Sequence, residues 1–186
     1  MANGMERCGL LQAATGVAVG MVAASLASAR TVATPSTAPA GGGDFAFLAG
    51  EWKIAQRRLA DGKWDEFPGE ATVHSLLGGL ASIEELRIPA RNFFGVEVRS
   101  FHQKERKWAD HWMSAGNGVV NDPMMGSFAG GVGTFLAEEE IEGGGKLIAR
   151  GVWDRVTPTS CRWHQSTSSD GGKSWDYNWY MDWTWV

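Results

Sequence analysis

The chain has 186 residues, 44% hydrophobic and 20% charged, with 25 glycines, 10 tryptophans and a net charge of -4. That length and apolar content suit one domain with a core of its own and exclude a disordered chain. The acidic balance argues against a nucleic-acid partner, which requires a basic stripe to displace counterions.

Cys8 to Ala29 carries no charged residue, follows Arg7 and closes with Ala27-Ser28-Ala29, a small-x-small cleavage pattern. Residues 1–29 therefore read as a signal peptide. A secreted or periplasmic protein with no stable membrane span after cleavage is expected. The alternative is an uncleaved anchor. Its apolar content is mostly Ala, Gly and Val, interrupted by Gln12, Thr15 and Ser25, which is weak for a permanent span. With Cys8 removed, Cys161 is alone and no internal disulfide forms; beside Thr157-Pro158-Thr159-Ser160 it reads as a passive strand-end residue.

Residues 30–43 are rich in Pro, Ala, Ser, Thr and Gly and read as a flexible linker. The domain spans residues 44–186. Phe45 to Leu48 is expected to form a short helical or plug-like turn, and Gly50-Glu51-Trp52 to open a first strand running to Leu59. Asp61-Gly62 turns the chain and Trp64 starts the next strand. Turn signals then recur at Pro68-Gly69, Gly78-Gly79, Pro89, Lys104 to Lys107, Gly116 to Gly118, Gly130-Gly131, Gly143 to Gly145, Thr157-Pro158 and Asp170 to Lys173. The segments between them, such as Phe93 to Gln103 and Val132 to Ile141, have strand length and no helical spacing. The expected fold is all-β: a single antiparallel up-and-down barrel of about eight to ten strands, with a two-sheet sandwich as the alternative.

Two hairpins permit a register argument. A four-residue loop at Lys104 to Lys107 pairs Gln103 with Trp108 and Arg99 with Trp112. Glu97, Arg99, Phe101, Trp108, Asp110 and Trp112 then share one face, and Val98, His102, His111 and Met113 the other. A loop at Asp170 to Lys173 pairs Thr167 with Asp176, Gln165 with Asn178 and Trp163 with Tyr180. That arrangement groups Trp163, Gln165, Thr167, Asp176, Asn178, Tyr180 and Asp182, while His164, Ser166, Trp175, Tyr177, Trp179 and Met181 point the other way. A slip of one residue would exchange the faces. The set of Arg99, Trp112, Trp163, Gln165, Asn178 and Tyr180 offers the aromatic lining and few polar groups that a ligand cavity needs.

Ser168-Ser169-Asp170-Gly171-Gly172-Lys173-Ser174-Trp175 matches the Asp-box hairpin of sialidase-type propellers, but a single copy in so short a chain reads as turn chemistry. His74, His102, His111 and His164 lack metal-ligand spacing, although His102 and His111 share a face. Neighbours on a strand point to opposite faces, so at most alternate members of Glu84-Glu85 and Glu138-Glu139-Glu140 share a pocket. A carboxylate at Glu85 inside the barrel would require a partner such as Arg99 or Arg150. There is no catalytic-triad spacing, phosphate loop or cofactor fingerprint.

The opening FLAGEW, the DGKWDEFPGEA hairpin, GGLASIEE, VRSFHQKERKWADHW and the closing RWHQSTSSDGGKSWDYNWYMDW together resemble a bacterial family of domains of unknown function with a calycin, or lipocalin-like, β-barrel. The resemblance covers roughly Asp44 to Trp185. It implies that Trp52, in the Gly-x-Trp opening, closes the barrel bottom. Members tend to end the last strand with an aromatic, a Thr and an Arg; here Trp185 follows Trp183-Thr184, so aromatic packing is expected in place of an Arg–Trp stack. A more distant resemblance to haem-binding barrels such as nitrobindin lacks their opening glycine pattern and last-strand His. The expected function is binding of a small, partly apolar molecule without catalysis, metal or cofactor. Alternatives are a haem-binding or enzymatic barrel using His102, His111 or His164, and a structural domain with no cavity.

Overall fold

The computed structural model describes residues 40–141 and 145–186. The expected signal peptide, and the expected linker up to residue 39, lie outside the described residues. Ten strands follow one another: β1 (Gly50–Ala60), β2 (Lys63–Leu76), β3 (Ala81–Ile88), β4 (Phe93–His102), β5 (Lys107–Ser114), β6 (Met124–Ala129), β7 (Val132–Ile141), β8 (Gly145–Asp154), β9 (Ser160–Ser168) and β10 (Asp176–Trp185). Each pairs antiparallel with its neighbours in sequence, and β1 also pairs with β10, giving a closed up-and-down barrel. Closure gives every strand a partner on each side and removes the exposed edge that a sandwich would leave. Among the described residues no helix is long and apolar enough to cross a membrane.

Pro68-Gly69, expected to turn the chain, instead lies within the 14-residue β2. Ala55 pairs with Pro68 and Ile54 with Gly69 on the β1 side, whereas pairing with β3 begins only at Glu70. Pro68 thus occupies a stretch with one neighbour, where its missing N–H leaves no ladder bond unmade.

One end of the barrel is plugged from within. Ala46–Leu48 form a single 3-10 turn that places Phe45 and Leu48 in the core. Phe45 packs edge-on against Trp108 and Phe128, both at 5.0 Å between ring centroids. Trp52 is 1% exposed and donates its indole N–H to the Leu48 carbonyl at 2.7 Å, tying the first strand to the plug. Its ring meets Trp183 at 6.0 Å and Trp185 at 5.3 Å, both edge-on. Gly50 has φ +135, and a Cβ there would lie 2.1 Å from the Trp185 ring, so a bare backbone at this position makes room for the terminal tryptophan.

The β9–β10 turn is held by its own side chains. Asp170 Oδ1 accepts from the Lys173 and Ser174 backbone N–H groups, both at 3.0 Å, and Asp170 Oδ2 accepts from the Ser174 hydroxyl at 2.7 Å. Gly172 N–H donates to Ser168 Oγ, and Trp175 Nε1–H donates to the Gly172 carbonyl. Bonds from Ser174, through its hydroxyl and its amide, hold the Asp170 carboxyl down at about 2. A depressed carboxylate stabilises the fold above its unfolded value and loses that contribution as pH falls through its folded one. Asp170→Asn is therefore expected to lower the thermal midpoint at pH 7, with the gap from wild type narrowing between about pH 4 and pH 2. A gap independent of pH across that range would contradict the assignment.

Candidate functional site

The two hairpin registers differ from expectation in opposite ways. In the β4–β5 hairpin, Phe101 pairs with Trp108, Arg99 with Asp110 and Glu97 with Trp112, an offset of two residues from the expected pairing. Side chains alternate with a period of two, so the offset keeps the expected faces, and Glu97, Arg99, Phe101, Trp108, Asp110 and Trp112 point inward. In the β9–β10 hairpin, Thr167 pairs with Asp176 as expected, but a bulge between Tyr177 and Trp179 moves the partner of Gln165 from Asn178 to Trp179. That single extra residue exchanges the faces of β10 beyond it.

The expected site set consequently divides. Trp112, Trp163 and Gln165 line a cavity of about 510 Å³ at the end opposite the plug, and Arg99 lies fully buried beside it. Asn178 is the inserted residue of the bulge and does not line the cavity. Tyr180 is outside the barrel, stacked on Tyr177 at 5.7 Å and covered by Arg57, whose guanidinium carbon lies 4.3 Å from the ring centroid. Trp179, Met181 and Trp183 take their place on the inner face. Trp179 stands edge-on to Trp163 at 5.8 Å and donates to Gln56 Oε1 at 3.1 Å. Trp112 stacks on Phe93 and fits because residue 95 is glycine: a Cβ there would lie 2.3 Å from the indole. With Trp153, five indoles line the cavity.

The cavity's polar floor is a buried charge cluster. Arg99 is 0% exposed; its Nη2 donates to Glu84 Oε2 at 2.7 Å and to Glu97 Oε2 at 2.6 Å, and its Nε lies 3.4 Å from Asp110 Oδ1. The guanidinium also lies 4.8 Å from the Phe45 ring centroid and 5.4 Å from that of Trp153, so it bridges plug and cavity. The inward carboxylate of the Glu84-Glu85 pair is Glu84. Glu85 is exposed and receives a bond from Arg87 at 2.7 Å, and Arg150 lies outside against Trp175. Glu84, Glu97 and Asp110 all line the cavity.

Three carboxylates around one guanidinium cannot all ionise without excess negative charge. Burial pushes Glu84 up to about 7, with Arg99 opposing. Burial and then the negative Asp110 push Glu97 well above the usual carboxylate range, and burial also raises Asp110. Burial alone would lower Arg99, but Glu97, Asp110 and Glu84 together raise it, so it stays charged. Several buried polar atoms remain without a hydrogen-bond partner, among them Asp110 Oδ1 and the indole N–H groups of Trp153 and Trp183.

None of the four histidines lines the cavity. His102 sits on the outer face, 3.8 Å from Glu105, and His111 bonds the Asn121 carbonyl at 3.2 Å. They are not cross-strand partners: His102 pairs with Lys107 and Val98 with His111. His164 lies outside between Tyr177 and Tyr180, with Nε2 3.5 Å from Asp154, and burial holds its pKa below the ordinary value. A haem in the cavity would thus meet none of the imidazoles that the alternative reading relies on. Among the described residues no group of three or more His, Cys, Asp or Glu is placed to hold a metal ion. The Cys161 thiol is buried and pushed up to about 12, by burial first and Glu84 second, leaving it protonated and a poor nucleophile.

No protein-family model matches the chain, and no curated protein does.

Proposed function

We propose that this barrel is an exported binding protein that takes a small, partly apolar molecule into its interior without chemical conversion. The observation that carries the reading is the 510 Å³ cavity lined by five indoles and a few convergent polar groups. Its volume falls in the range of small-molecule sites, and its lining sets five indoles and several aliphatic side chains beside polar and charged groups that can orient a ligand. A calycin-like fold suits this role, because such a barrel can fill one end with side chains and keep the other free. Export rests on the uncharged run from Cys8 to Ala29 and its Ala27-Ser28-Ala29 end. The absence of catalysis from the proposal rests on the protonated Cys161 and on the position of the histidines outside the barrel.

Tryptophan emission reports directly on the cavity. Titrating the purified domain with a panel of lipids, aromatic acids, alcohols and amines is expected to give saturable quenching or a spectral shift with at least one class. Emission unmoved by every class, together with an interior that excludes solvent and ligand alike, would overturn the reading in favour of a structural barrel.

A further inference from the structure

We propose that the cavity selects organic cations, namely a protonated or quaternary amine carried on a compact apolar body, with the nitrogen seated between the floor carboxylates and the indole walls. The inference rests on the small-molecule reading above and specifies its ligand.

Charge balance is the first support. Glu84 from β3, Glu97 from β4 and Asp110 from β5 converge on Arg99, the sole cation among them. Arg99 is 0% exposed, is in contact with all three and does not itself line the cavity, so an incoming acid meets the carboxyl groups and not the guanidinium. A ligand carboxylate would add negative charge to a cluster that already holds more carboxyl groups than cations. At the cavity's lip Glu138 is paired with Lys146 at 2.8 Å, whereas exposed Asp122 and Glu139 add negative charge that raises the local concentration of cations.

The second support is independent of charge counting. Asp110 is 6% exposed, lines the cavity, and leaves Oδ1 without a hydrogen-bond donor. Its nearest cationic group, Arg99 Nε at 3.4 Å, lacks hydrogen-bond geometry, so the acceptor keeps capacity for an ammonium N–H or a water. The walls are the third: indole faces are the best aromatic partners for a cation, and Trp112, Trp153, Trp163, Trp179 and Trp183 all reach the cavity.

An incoming cation also replaces protons. Without it, burial favours the protonated forms of Glu84 and Glu97 and raises Asp110 as well, while Arg99 stays charged and the Cys161 thiol on β9 stays neutral. Binding of a permanently charged ligand therefore releases protons and tightens as pH rises, with Asp122, Glu138 and Glu139 the other titratable groups lining the cavity.

The test uses three probes with one aromatic body, benzyltrimethylammonium, benzyl alcohol and phenylacetate, titrated into the wild type and Glu97→Gln by calorimetry. The expected result is benzyltrimethylammonium binding at least about tenfold more tightly than benzyl alcohol, with phenylacetate weakest. Its affinity should rise between pH 5.5 and pH 8, and Glu97→Gln should weaken it by a larger factor than it weakens benzyl alcohol. If benzyl alcohol or phenylacetate binds as well as the cation, the cation proposal is overturned and the small-molecule reading stands. If no probe binds and the lipid and aromatic panel also fails, both fall. Matched unfolding midpoints of wild type and Glu97→Gln confirm that the comparison is between folded proteins.

Discussion

Arg99→Met is expected to cost about 3–5 kcal/mol of folding stability at pH 7, measured by urea unfolding, because it leaves the buried Glu84 and Asp110 and the partly buried Glu97 without their cation. Arg99 is fully buried and touches Glu84, Glu97 and Asp110, so solvent cannot replace it. The pH dependence gives the loss a signature. A carboxylate raised in the fold contributes stability that is complete below its unfolded value and is lost as pH rises through its folded one. For Glu84 that window runs from its ordinary value of 4.5 to about 7. Wild type should therefore gain stability from this cluster as pH falls from 8 to 5. Arg99→Met should gain more over the same range, since its unscreened carboxylates bind protons more strongly. A variant as stable as wild type at pH 7 would show that the cluster does not hold the charge assigned to it.

Trp52→Ala is expected to destabilise the barrel by about 3–5 kcal/mol, the range for truncating a fully buried aromatic. Trp52 is 1% exposed, bears on Trp183 and Trp185, and binds the plug through the Leu48 carbonyl. Trp52→Phe separates the two roles: it keeps ring packing and loses the N–H bond, for which about 1 kcal/mol is expected. Differential scanning calorimetry of the pair checks both values. A loss under about 1 kcal/mol for Trp52→Ala would mean that the plugged end contributes little to the fold.

Spacing of turn residues made the barrel legible in the sequence, because glycine and proline clusters punctuate strand-length segments and no segment carries a helical period. Half of the site was legible for a similar reason. Arg99, Glu97, Asp110 and Trp112 share a face in any β4–β5 register that differs by an even number of residues, so a wrong loop length did no damage. The other hairpin was less forgiving. Nothing in Asp176-Tyr177-Asn178-Trp179 marks a bulge, yet that one residue takes Tyr180 out of the interior and puts Trp179, Met181 and Trp183 in. Glu84 was harder still to place, since Glu84-Glu85 offers two neighbouring carboxylates and only the β3 register with β4, in which Glu84 pairs with Glu97, decides which enters. The carboxylates on Arg99's own face were nevertheless a signal: one arginine facing Glu97 and Asp110 is a neutralised cation before it is a ligand anchor.

The central claim is that the interior is a ligand site and not merely an imperfectly filled core. Ala137 and Ala149 are cross-strand partners on β7 and β8, and both line the cavity, so Ala149→Phe places a ring in the space a ligand would occupy. Calorimetric titration of wild type and Ala149→Phe with benzyltrimethylammonium, benzyl alcohol and phenylacetate is the most direct test. At least one probe should saturate wild type at one equivalent and lose about tenfold or more in affinity for Ala149→Phe, whose unfolding midpoint confirms an intact barrel. Equal affinity for the two proteins, or no saturable binding to wild type by any probe, would contradict the claim.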